Sequence, residues 1–130
     1  MTDRLAAHFV RASVLYAIAG MALGIHMAAS QDHGQMPTHA HLMLFGWVGM
    51  MLYAAFYKLW PGAAAGLLPK IHAAVAHIAL IGMIVGLHLI YSGSNPELGD
   101  PIAALFSTSL FANMFLFTWI VWRGTRAAAV

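Results

Sequence analysis

The chain has 130 residues, of which 62% are hydrophobic and 8% charged, and its formal net charge is +2. Soluble globular domains are roughly half apolar and about a quarter charged, so that class is excluded. With no cysteine, the chain has no disulfide, no thiolate-held metal and no covalent c-type haem attachment.

Apolar runs at about 12–29, 40–60, 71–91 and 102–122 each approach the ~20 residues that carry a helix across ~30 Å of hydrocarbon. They predict an all-α integral membrane four-helix bundle, one domain over 1–130, with helices at about 9–29, 39–60, 70–91 and 101–122. The six Lys and Arg residues, Arg4, Arg11, Lys58, Lys70, Arg123 and Arg126, lie at the N-terminus, the second connection and the C-terminus. The positive-inside rule puts these in the cytoplasm. Asp32, Glu97 and Asp100 fall in the first and third connections, which then face outward. The expectation is a multi-pass protein of a bacterial-type inner membrane, embedded in lipid and with no nucleic-acid partner.

Helix 1 carries Gly20 and Gly24 four apart, a small-residue face that lets a neighbouring helix approach. Arg4 and Arg11 ahead of Ala28-Ala29-Ser30 also fit a signal peptide, but the run is long for one. Helix 2 follows Pro37, with Thr38 expected as its N-cap, and ends in aromatic residues Tyr53, Phe56, Tyr57 and Trp60, expected as an interfacial belt before Pro61-Gly62. Helix 3 holds His72, His77 and His88, with Gly82 and Gly86 as a second small-residue face. Helix 4 has no histidine and is expected to start at Asp100-Pro101. Its Ser107, Thr108, Ser109 and Asn113 are expected to bond across helices.

Imidazoles within a membrane helix are costly unless paired or ligating, so the histidines are the candidate functional residues. His26, His39, His41 and His88 share one outer layer, roughly 5 Å deep at ~1.5 Å per residue. His8 and His72 form a second, cytoplasmic layer, and His77 stands alone nearer mid-membrane. Residues two apart on a helix differ by ~200°, so His39 and His41 serve opposite faces and not one ion.

Imidazole without thiolate in an apolar interior suits a b-type haem, with His41 as an axial ligand and His39 as a second haem's ligand or a support, the partner of His41 being His26, His88 or a histidine of another subunit. The alternative is a copper- or zinc-handling or transport protein that uses the outer His/Met layer, with Met27, Met36 and Met43 as soft ligands and His77 passing protons or ions inward. A third reading is an accessory subunit whose histidines only join helices.

The segment His39-Ala40-His41, followed by Gly46, Gly49, Phe56-Tyr57 and Trp60-Pro61, resembles the tenth helix of subunit I of the haem–copper oxidases. There a His-x-His pair gives one axial ligand to each of two haems on opposite faces. Lys70-Ile71-His72, Gly82 and His88 resemble the eleventh helix, and His39 with Met43 resembles a His-x-x-x-Met of the second. Asp32, seven residues before His39, stands where that family has an acidic metal-binding residue, with Gln31 in place of its neighbouring His. The resemblance implies haem binding, electron transfer or redox and gas sensing, and a partner that donates or accepts electrons. It also implies metal roles for His39, His41 and Asp32, whereas a metal role for His77 belongs to the metal-handling alternative, and it implies a homo-oligomer such as a trimer, because that subunit is built of three four-helix arcs. The consecutive His-His pair of the family's copper site is absent, so the likeness stops short of oxygen reduction.

Overall fold

A computed structural model describes residues 3–127 as an all-helical bundle with no strand among them. Helix α1 is Asp3–Ser30, α2 is Met36–Leu59, α3 is Leu68–Tyr91 and α4 is Pro96–Ala127. All four are long and apolar enough to cross a membrane. A short 3-10 turn, Pro61–Ala64, leads from α2 towards α3.

Each helix starts earlier than its apolar run, because nothing in the polar flanks stops helical hydrogen bonding. Helix α1 begins six residues before the expected start, since Arg4, Leu5, Ala6 and Ala7 are good helix residues that extend it. Thr38 is not the N-cap of α2. Pro37 occupies the first turn, Gln35 takes the cap position, and the Thr38 hydroxyl donates to Gln35 Oε1 at 2.7 Å. Nor do Asp100 and Pro101 begin α4. Asn95 caps it, its Oδ1 accepting from Leu98 N at 3.1 Å, and Pro96 takes the first helical position, leaving Pro101 inside the helix.

Helix α2 is not uniform. It runs as α-helix over Met36–His41, widens to π-helix over Leu42–Gly49, and returns to α-helix over Met50–Leu59. A π segment adds about one residue per turn, so it resets the faces of α2 below it relative to those above.

The helices pack as two hairpins, α1 with α2 and α3 with α4, the latter pair most extensively. Close approach of α3 and α4 rests on Gly86, where a Cβ would lie 2.5 Å from Ala103 N. The main core joins Ala6 and Phe9 of α1, Met50, Ala54, Phe56 and Tyr57 of α2, Ala73, Ala76, Leu80 and Met83 of α3, and Ile120 of α4. It fills the half of the bundle near the Lys58, Lys70 and Arg123 end, hereafter the basic end. The opposite, or His39, end carries the α1–α2 and α3–α4 connections.

The aromatic residues closing α2 are part of this core and not an interfacial belt. Phe56 and Tyr57 are buried, and Tyr53, Phe117 and Phe9 surround them. Their spacing of 53, 56, 57 and 60 is one helical face, and that face turns inward.

Candidate functional site

At the His39 end, Pro37 starts α2 so that His39 meets α1. Its Nδ1 lies 2.7 Å from the carbonyl oxygen of Gly20. A carbonyl only accepts, so Nδ1 carries the hydrogen and Nε2 keeps a lone pair. Gly20 and Gly24 make this fit: a Cβ on Gly24 would sit 3.0 Å from His39 Cε1, and one on Gly20 would collide with Met43 Sδ. The small-residue face of α1 therefore houses two side chains, His39 and Met43, one turn apart.

His41 repeats the arrangement with different partners. Its Nδ1 lies 2.7 Å from the Pro37 carbonyl oxygen on its own helix, and its ring stacks on Phe45 at 5.8 Å and 20°. Nδ1 again donates, and Nε2 is again the lone-pair nitrogen. Both rings are half-buried. Histidines that ligate metals usually donate their other ring N–H to a carbonyl or carboxylate, which fixes tautomer and orientation.

The remaining candidates of this end are placed differently. His26 on α1 and His88 on α3 are exposed, and the His88 carbonyl accepts from Gln35 Nε2 at 3.3 Å, tying the start of α2 to the end of α3. Asp32 is exposed in the α1–α2 connection, where its Oδ1 accepts from Gly34 N at 2.9 Å and closes a turn that follows Gln31 at φ 58°. Among the described residues no three His, Asp or Glu side chains converge as an ion-binding group. A shared depth does not bring His26, His39, His41 and His88 together.

Nearer the basic end, His77 does not stand alone. Its Nε2 is 2.9 Å from His8 Nε2 and its Nδ1 is 2.9 Å from the Tyr16 hydroxyl, so α1 engages both ring nitrogens. His72 is fully buried beside Tyr57, whose hydroxyl is 3.1 Å from His72 Nδ1, while His72 Nε2 has no partner. Asn113 bonds across helices, Nδ2 to the His72 carbonyl at 3.2 Å. Thr108 and Ser109 instead bond to carbonyls one turn back on α4.

Sequence reasoning missed Tyr16 and Tyr57. Their signal was a hydroxyl on an otherwise apolar helix face, which needs a partner when buried.

A haem test can be set against this geometry. A porphyrin supplies most of the iron's donors, so one or two imidazoles with open Nε2 suffice, and His39 and His41 qualify as donors. Two cavities, of about 360 and 540 Å³, open among residues such as Trp60, Trp119 and Arg123, and Ala54, Arg11 and Lys58, and neither touches a histidine. No family model, curated protein or solved structure matches the chain.

Proposed function

We propose that the chain is a multi-pass membrane protein that holds a b-type haem through His41, with His39 as the ligand of a second haem or as a support. One observation carries this reading: both imidazoles donate from Nδ1 to a backbone carbonyl and keep Nε2 open. That is how a ligating imidazole is held. When bound, a haem supplies a reversible one-electron change, which suits electron transfer or redox and gas sensing, as the resemblance to oxidase subunit I implies. This chain's residues fix the tautomer and aim the rings.

The Lys and Arg distribution supports cytoplasmic termini and a bacterial-type inner membrane, with His39 and His41 towards the outer leaflet. Neither cavity at the basic end is lined by these rings, so a haem held by them would need a wall from outside this chain. A second copy of the chain supplies the facing wall, and a trimer is the expected assembly.

Optical spectra of the protein as isolated, oxidised and reduced, test this. A Soret band is expected, lost or shifted in His41→Ala and retained in His72→Leu. Absence of a Soret band, before and after adding haem, overturns the reading. If the haem-free protein then carries stoichiometric copper or zinc that His39→Ala removes, the metal-handling alternative replaces it, with Met43 beside His39 as the soft donor.

A further inference from the structure

His77 is held at both ring nitrogens by α1, and that arrangement has a chemical consequence. A neutral imidazole has a single N–H, so it donates one of these bonds and accepts the other. An imidazolium donates both, and here both acceptors are in place: the His8 Nε2 lone pair and the Tyr16 oxygen, each at 2.9 Å. The positive ring is also enclosed by aromatic faces. Phe9 stacks on it at 5.7 Å and 23°, and Tyr16 at 5.8 Å and 23°. His8 itself is exposed, eight residues nearer the start of α1 than Tyr16.

We infer that His8, His77 and Tyr16 form a proton-uptake site loaded from the basic end of the bundle. His8 is the entry, His77 holds the proton, and Tyr16 is a positioning residue. In the unloaded state His8 donates Nε2–H to His77 Nε2, and His77 donates Nδ1–H to Tyr16. A proton from water adds to His8 Nδ1, forming an N–H bond there. The His8 Nε2–H bond breaks as that proton moves to His77 Nε2. His8 ends neutral, with its hydrogen on Nδ1 and its Nε2 lone pair facing the ring that now carries the charge. One proton enters, one is transferred, and nothing is oxidised or reduced. No haem is needed, so the inference stands or falls apart from the haem reading.

The other titratable groups around the site are few. His72 lies five residues earlier on α3, enclosed by Tyr53 and Tyr57 of α2. Helix α4 carries its titratable groups, Glu97, Asp100, Arg123 and Arg126, near its two ends, Arg4 and Arg11 of α1 are exposed, and Lys58 of α2 is exposed beside the same cavity as Arg11.

The test is solid-state NMR of the full chain, labelled with ¹⁵N-histidine and placed in phosphatidylcholine–phosphatidylglycerol bilayers. As pH is lowered, one imidazole is expected to show both nitrogens protonated together with a nitrogen–nitrogen coupling to a second imidazole, and His77→Gln assigns the signal. His8→Ala is expected to abolish the coupling. Tyr16→Phe, which keeps the ring packed on Gly46, is expected to keep the coupling while the doubly protonated signal is lost at the pH where the parent shows it. A parent protein with no coupled imidazole pair, or a coupling and protonated signal unchanged in both variants, overturns the inference.

Discussion

At the scale of single residues, the most exposed dependency is between two side chains that no solvent reaches. Tyr57 and His72 are each 0% exposed, and the Tyr57 hydroxyl is the partner of His72 Nδ1. Tyr57→Phe leaves both nitrogens of a buried imidazole unpaired, so it is expected to destabilise the bundle by ~1–3 kcal/mol. Adding His72→Leu removes the orphaned polar group and recovers part of that loss. Unfolding in detergent by heat or denaturant measures both. Residue counting grouped His8 with His72 and left His77 apart, whereas His8 Nε2 lies 2.9 Å from His77 Nε2. His77 looked solitary because pairing with His8 and Tyr16 depends on how α1 and α3 are rotated against each other, and neither helix alone encodes that angle.

At the scale of elements, the π segment of α2 is the feature that positions the histidine pair. Leu42–Gly49 separates His39 and His41 from the Tyr53, Phe56 and Tyr57 face that anchors α2 in the core. Deleting Val48, which is exposed, removes the extra residue of this stretch, so it is expected to close as ordinary α-helix with the histidine turn still on its side of the core. The expected outcome is a folded, helical protein that keeps the histidine-dependent Soret band of the parent, read by circular dichroism beside the optical spectrum. A second prediction concerns α3 and α4. Gly86→Ala puts a methyl group against the Ala103 backbone and is expected to cost ~1–3 kcal/mol. Gly62→Ala, with nothing within 4 Å, serves as the neutral control. The Gly82/Gly86 and Gly20/Gly24 faces were legible from four-residue spacing. The π segment was not, because Gly46 and Gly49 weaken an apolar helix without saying which way its hydrogen bonding shifts. The helix starts were misjudged for the opposite reason: hydropathy marks what an apolar layer covers, and hydrogen bonding continues past it.

At the scale of the whole molecule, four helices of the right length and the grouping of all six Lys and Arg at one end were plain from the sequence, because both are sums over many residues. Assembly is not such a sum and stays a proposal. The absence of native cysteine makes the topology easy to check. His33→Cys and Ala65→Cys, in the first and second connections, are expected to react with a membrane-impermeant thiol reagent from opposite sides of sealed vesicles. The depth of His77 then has an electrical meaning. It lies nine residues into α3, ~14 Å of a helix ~36 Å long. On the proposed orientation, a proton loaded there from the cytoplasm would cross roughly two-fifths of the transmembrane field, worth about 1 kcal/mol per ~100 mV. With the cytoplasm negative, that work would oppose loading. The inferred site would then be emptier in an energised cell and would fill on depolarisation, so its occupancy would follow the voltage across the bundle as well as the acidity beneath it.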